Sequence, residues 1–126
     1  MAEKILRPGE RDNKPGTDWR YAPPAGGITN STADVPVKAA VAAQRNYVTR
    51  LQFGAGVALA TATELVVKSG AATVLWRMSL PAAVIPGTPI IFDPPLVGAV
   101  NEAINVAAVT LFATGNLTVN AQGYTV

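Results

Sequence analysis

The last third of the chain, IIFDPPLVGAVNEAINVAAVTLFATGNLTVNAQGYTV (Ile90–Val126), gives the clearest indication of the fold. It contains two runs of β-type residues, 103–113 and 117–126, on either side of the dipeptide Gly115-Asn116. A two-residue loop that begins with Gly favours a type II′ turn, because the first central residue of that turn has a positive φ. The sequence therefore predicts an antiparallel β-hairpin in this stretch.

If the loop consists of those two residues, the register of the hairpin follows. Its first strand is then apolar on both faces, whereas an antiparallel strand of a small sandwich usually buries one face only. We therefore expect Phe112 and Val119 to lie opposite each other in the core, and a second copy of the chain to cover the other face. The predicted oligomer contacts on that face are Val109 opposite Gln122 and Leu111 opposite Asn120.

The composition bounds both the size and the chemistry of the protein. A chain of 126 residues is long enough for one domain with a real core. Charged residues make up 14% of the chain, against about 25% in an average globular protein, which favours burial of part of the surface in an oligomer. The net charge of +2 is too weak to indicate a nucleic-acid partner.

The absence of two residue types argues against catalysis. The chain contains no Cys and no His, so disulfides and thiolate metal sites are excluded, and the commonest general base is missing. The remaining candidates are weak: Lys68 and Ser69 are adjacent, and adjacent strand residues point to opposite faces. We therefore expect no enzyme activity and no cofactor or metal.

Two further features concern location. The N-terminal stretch MAEKILRPGERDNK has no apolar core of a signal peptide. The longest apolar run, 103–113, is shorter than the roughly 20 residues that a membrane-spanning helix needs. We expect a protein that is made in the cytoplasm and has no membrane partner.

Residues 1–34 differ from the remainder of the chain. They hold most of the charged residues and several prolines, and no apolar periodicity runs through them. Such a segment cannot bury enough apolar surface to offset its ordering entropy. The sequence predicts an extended arm over 1–34 and a sandwich domain over 35–126.

The arm contains the triplet Trp19-Arg20-Tyr21. These aromatic side chains either pack back onto the same subunit or anchor the arm on a partner, since Trp, Tyr and Arg dominate interface hot spots. Sequence alone leaves both possibilities open. The predicted partner contacts of the arm are Arg7, Arg11, Lys14, Trp19, Arg20 and Tyr21.

From Asp34 onward, short runs with a period of two alternate with turn residues, which is typical of an all-β fold. Helices over 37–45 and 57–68 are the competing interpretations of the alanine-rich parts. The pattern predicts a jelly-roll-like antiparallel β-sandwich of about eight short strands, with an extended N-terminal arm. The expected strands before the hairpin are Val35–Val41, Arg45–Phe53, Thr61–Lys68, Thr73–Leu80 and Thr88–Asp93.

Several stretches between Arg45 and Val126 resemble a known family. RNYVTRLQF, TVLWRMSL, IIFDPPLVGAVNEAINV and the ending TVNAQGYTV are similar to small jelly-roll proteins of tailed bacteriophages, the head decoration (cement) proteins. The resemblance implies a homodimer or homotrimer on the outside of the virion, where it bridges major capsid subunits. An alternative is a fibre or receptor-binding domain that recognises a carbohydrate.

Overall fold

The computed structural model describes residues 16–126, and all regular structure in this range is β-strand. The helices considered over 37–45 and 57–68 are therefore wrong. Eight strands are present: β1 Thr17–Tyr21, β2 Val35–Lys38, β3 Asn46–Ala55, β4 Thr63–Ser69, β5 Thr73–Leu80, β6 Ile85–Val97, β7 Ile104–Ala108 and β8 Thr118–Thr125.

The strands form two four-stranded sheets. The first sheet has the order β1-β8-β3-β6, the second has the order β2-β7-β4-β5, and all pairs are antiparallel. Strand one therefore pairs with eight, two with seven, three with six and four with five, and successive pairs alternate between the sheets. A long hairpin rolled up in this way is a jelly roll, so the predicted fold class is confirmed.

The core lies between the inner faces of the two sheets. Its largest fully buried side chains include Phe112, Leu51 and Leu65, and burying a side chain of this size contributes roughly 1.5–3 kcal/mol. Phe112 and Val119 both belong to this core, as the sequence predicted. The two sheets are held together mainly by this apolar layer.

The predicted C-terminal hairpin is wrong. β7 pairs with β2 and β4, β8 pairs with β1 and β3, and the two strands lie in opposite sheets. Residues 109–117 are therefore a connection that crosses between the sheets, and Phe112 enters the core from it. Gly115 does have a positive φ of 109°, but the backbone of Ala58 lies where its side chain would be, so its role is a close approach.

Part of the segment that the sequence assigned to the arm belongs to the sandwich. Thr17–Tyr21, which the sequence assigned to the arm, is the edge strand of the first sheet and pairs with β8 from Thr17↔Thr125 to Tyr21↔Ala121. Trp19 is buried in the core, against Gly123. Its burial supplies the apolar area that the composition of the segment did not suggest. Residues 1–15 lie outside the described range.

A β-bulge changes which residues of β3 face inward. A strict period of two would place Thr49, Leu51 and Phe53 on one face of the strand and Val48 on the other. The register of β3 shifts between Val48 and Arg50 against both of its neighbours, so Val48, Leu51 and Phe53 all face the core. An extra residue of this kind resets the alternation along a strand.

β6 differs from its predicted length, and β5 is less buried than a central strand of a sandwich. β6 continues through Pro94 and Pro95 to Val97, beyond the predicted end of this strand at Asp93. β5 has the predicted bounds, but Val74 and Met78 are 39% and 37% exposed. Both differences have one cause: β5 and β6 are edge strands, which tolerate proline and cover their side chains incompletely.

Candidate functional site

The outer face of the first sheet is the part of the molecule where polar side chains converge. On β8, the residues 119, 121, 123 and 125 are buried, and the alternate residues Asn120, Gln122 and Tyr124 point outward. This alternation follows from the period of two of a strand. The central strand therefore presents two amides and a phenol to solvent.

Two arginines flank Gln122 in one row across the sheet. Arg20 of β1 lies opposite Gln122 on one side, and Arg50 of β3 lies opposite it on the other. Both arginines are exposed. Because neighbouring strands are about 4.8 Å apart, the backbones that carry the two guanidinium groups are separated by roughly 10 Å.

The bulge in β3 is what brings Arg50 into this row. It lies between Val48 and Arg50, and Thr49 donates a hydrogen bond from Oγ1 to the carbonyl oxygen of Gln122, at 3.2 Å. Without the extra residue, a strand with Val48 inward would also turn position 50 inward. The local backbone thus determines the charge of this face.

A second row continues the polar surface. Gln52 of β3 lies opposite Asn120 of β8, so three amides and two guanidinium groups share one face. Together they line an open groove of about 420 Å³. We call this feature the arginine–amide groove; its lining residues are Arg20, Tyr21, Ala22, Arg50, Gln52, Asn120, Ala121 and Gln122.

The positive charge of the groove is not neutralised within the described part of the chain. Among residues 16–126 the ion pairs join Arg77 to Glu64 and Lys68 to Asp34, and neither involves Arg20 or Arg50. Two acidic positions lie near this row: Asp18, one row away opposite Tyr124, and Asp93, two residues along β6 from Ile91, which lies opposite Arg50. The groove therefore offers two guanidinium groups to an external anion.

An aromatic pair and an apolar edge border the groove. The rings of Tyr47 and Tyr124 are stacked, with centroids 4.5 Å apart and an interplanar angle of 12°. On the β6 side, Ile91 lies opposite Arg50 and is 75% exposed, and Val97 lies opposite Tyr47. Polar, aromatic and apolar groups thus follow one another across a single sheet face.

The structure brings together four of the residues that the sequence singled out, from two separate predictions. Arg20 and Tyr21, predicted in the arm, and Asn120 and Gln122, predicted in the oligomer interface, all line the arginine–amide groove. Sequence analysis did not connect Arg50 and Gln52 with them. The polar positions of the alternating β3 run pointed to this face, but the pairing of β1 with β8 was needed to assemble it.

The other predicted site residues lie elsewhere. Trp19 is buried and unavailable to a partner. Val109 and Leu111 lie in the connection after β7, 50% and 54% exposed, and do not pair with Gln122 and Asn120 as predicted. Their role in an oligomer stays a prediction. The remaining arm residues, Arg7, Arg11 and Lys14, are outside the described residues.

The residues considered for catalysis are engaged in separate structural contacts. Lys68 Nζ contacts Asp34 at 2.5 Å and donates to the carbonyl oxygen of Ala71 at 3.2 Å. Ser69 Oγ donates to Glu102 Oε2 at 2.5 Å and accepts from the backbone N–H of Ala99 at 2.9 Å. Lys68 and Ser69 thus serve two different contact networks.

Two further searches cover residues 16–126. No group of three or more Asp, Glu, His or Cys side chains in this range is placed to hold a metal ion. No helix in the same range is long and apolar enough to cross a membrane. Comparison of the chain with known proteins found no matching family model, no matching curated protein and no matching solved structure.

Proposed function

We propose that the chain is a structural virion protein that binds the outer surface of a tailed-bacteriophage capsid and bridges neighbouring major capsid subunits. Two features support the proposal. Stretches of sequence between Arg45 and Val126 resemble those of head decoration proteins, and the strand order is that of a jelly roll. The observation that carries it is the arginine–amide groove, in which Arg20 and Arg50 have no acidic partner among the described residues.

The chemistry of the groove suits an acidic protein surface. A guanidinium group binds a carboxylate through two parallel hydrogen bonds, and it loses little hydration on contact. Gln52, Asn120 and Gln122 add donors and acceptors for the backbone of a partner. We expect acidic side chains of a capsid subunit to contact the two arginines.

A modest affinity per copy is sufficient in this role. A capsid presents the same surface many times, and an oligomer that engages two or more sites converts weak single contacts into tight overall binding. The bridging of adjacent subunits then opposes their separation, which stabilises the shell. The protein contributes contacts and no chemical reaction.

The residues of the predicted arm contact fall into separate groups. Trp19 belongs to the core and Arg20 and Tyr21 belong to the groove. Arg7, Arg11 and Lys14 remain a predicted second contact with the capsid. The proposal does not depend on them, because the groove is formed by strands of the sandwich.

The copy number in purified particles tests the proposed function. Particles produced by cells that carry the gene are banded on a density gradient, and the chain and the major capsid protein are quantified by mass spectrometry against labelled peptides. We expect a constant ratio across the particle band, at the level of one chain per one to a few capsid subunits. Absence of the chain from the particle band would contradict the proposal.

A carbohydrate-binding domain of a phage fibre is the second candidate. The stacked Tyr47 and Tyr124 lie on the same face as three amides, and sugars bind to aromatic rings flanked by hydrogen-bonding groups. A glycan array separates the two functions. Specific binding to one class of glycan, lost in Tyr124→Ala, would favour the fibre domain over the capsid protein.

A further inference from the structure

The four edge strands of the sandwich differ in how well they resist pairing with another chain. β6 contains four prolines in 13 residues, β2 has four residues including Pro36, and β1 has five residues. Prolines and short length are the usual devices that block an edge. β5 is the exception, since it is eight residues long and contains no proline.

The backbone of β5 has one open side. The strand pairs with β4, and no other backbone hydrogen bond reaches residues 73–80 from the described part of the chain. In an antiparallel pair, alternate residues direct their N–H and C=O groups away from the neighbour. About half of the polar backbone groups of β5 are therefore available to a further strand.

One face of this open edge carries the apolar side chains Trp76, Met78 and Leu80, and the other carries Arg77 and Ser79. Met78 is 37% exposed, and Trp76 is only partly buried, with its ring 5.7 Å from that of Phe92 in an edge-to-face contact. This contact joins the edge of the second sheet to the edge of the first. Together β5 and β6 form one apolar flank of the sandwich, which we call the β5–β6 flank.

We propose that the β5–β6 flank binds a second copy of this chain, with β5 paired antiparallel to its own symmetry mate. A twofold axis at Met78 places Met78 opposite its counterpart, Arg77 opposite Ser79, and Trp76 opposite Leu80. Apolar residues then meet apolar residues on the inner face. The segment 76–80 is thus complementary to itself, as a twofold interface requires.

The alternative centre is less favourable. A twofold axis at Arg77 would place two guanidinium groups directly opposite each other, and like charges in a cross-strand pair are destabilising. The Met78 centre avoids this repulsion. It also uses only the part of β5 beyond the register shift near Lys68, where the pairing with β4 is regular.

The contact area indicates a weak dimer. The five paired residues 76–80, at about 3.4 Å each, span about 17 Å, and two sheets about 10 Å apart with their side chains make a flank roughly 20 Å thick. The contact therefore buries on the order of 350 Å² per protomer and about 700 Å² in total, which is in the range of weak, transient interfaces. A second copy needs no groove or further segment to form this contact.

Charge introduction at Met78 tests the proposal in solution, independently of any capsid. The full-length chain is expected to approach twice the monomer mass of 13.0 kDa in sedimentation equilibrium as its concentration is raised from the micromolar to the millimolar range. Met78→Lys places two ammonium groups opposite each other and should raise the dimer dissociation constant at least about tenfold. Val100→Lys, which adds a lysine at an exposed position in the connection between β6 and β7, should leave the dimer intact.

A cysteine variant gives a second measurement, which does not depend on the folding of Met78→Lys. The chain has no cysteine of its own, so Met78→Cys should form a single disulfide-linked dimer under mild oxidation, and Val100→Cys, at an exposed position outside the flank, should not. A monomeric or trimeric wild-type chain would overturn the proposal. So would dissociation by Leu111→Lys with Met78→Lys still dimeric, because the contact would then lie at the connection after β7.

Discussion

Asn46 shows how one buried polar side chain can hold several segments together. Its Nδ2 donates to the carbonyl oxygens of Ala39 at 3.1 Å and Glu102 at 3.2 Å, and its Oδ1 accepts from Thr125 Oγ1. The residue is 1% exposed, so these bonds are shielded from water. Asn46 thus connects two loops to the end of β8.

Replacing Asn46 should therefore destabilise the whole domain. In Asn46→Ala, the carbonyl oxygens of Ala39 and Glu102 and the hydroxyl of Thr125 lose their partner, at a cost of about 2–4 kcal/mol. Asn46→Asp keeps the shape but faces two carbonyl oxygens with a carboxylate. Urea unfolding of both variants measures the effect. A loss below 0.5 kcal/mol in either variant, about the scatter of surface substitutions, would contradict this role.

Whether a side chain faces the core could be predicted from the sequence in β4 but not throughout β3. Thr63, Leu65 and Val67 are buried at alternate positions of the predicted strand Thr61–Lys68, as a period of two predicts. A period of two over the predicted strand Arg45–Phe53 puts Val48 on the face opposite Leu51, but Val48 is buried because the register of β3 shifts between Val48 and Arg50. A bulge of this kind leaves no local mark in the pattern.

At the scale of elements, the types were predictable and the pairing was not. The strand periods, Gly and Pro positions gave an all-β sandwich of about eight strands, and the sheets bear this out. The C-terminal stretch also satisfies the chemistry of a hairpin turn locally. In the jelly roll β7 and β8 instead lie in different sheets, and the connection between them crosses the core, where it buries Phe112.

The candidate site depended on the same non-local pairing. Arg20 and Gln122 were both noticed in the sequence, but for different surfaces, and only the β1–β8 register puts them in one row. Arg50 joins them through the bulge in β3. Sequence could therefore supply individual members of the groove, and the fold was needed to show that they share a face.

The pairing of β1 with β8 predicts that removal of β1 destabilises the sandwich. A fragment of residues 22–126 lacks β1. It therefore loses the buried Trp19 and exposes the edge of β8. We expect its free energy of unfolding to be at least about 3 kcal/mol below that of residues 16–126, since removing a buried Trp side chain alone costs this much. Chemical unfolding of the two fragments measures the difference.

Equal stability of the two fragments would support the original arm hypothesis. In that case Thr17–Tyr21 would rest on the sandwich without contributing to it. Trp19→Ala in the full-length chain is a milder check of the same point, because it removes the core contact and leaves the strand in place. Its midpoint of unfolding should shift in the same direction.

At the scale of the whole molecule, the two proposed surfaces are separate. The arginine–amide groove lies on β1, β8 and β3 of the first sheet, whereas the proposed dimer contact lies on β5, an edge strand of the second sheet. A dimer through β5 therefore leaves both grooves free. Two grooves on one dimer can contact two neighbouring capsid subunits, which is the bridging arrangement that the proposed function requires.

The most direct test of the central claim is the binding of the full-length chain to capsids purified from a phage strain that lacks its gene. Wild type, Arg50→Glu and Lys38→Glu are compared by cosedimentation, with circular dichroism as the control for folding. Lys38 provides the matched charge reversal, because it lies on β2 of the other sheet. All three proteins are measured at the same salt concentration, since exposed charge contacts weaken with ionic strength.

We expect Arg50→Glu to lower the bound copy number at least about tenfold, because a guanidinium–carboxylate contact becomes a repulsion. Lys38→Glu should bind like the wild type. Binding of Arg50→Glu at the wild-type level, with its fold intact, would show that the arginine–amide groove is not the capsid contact.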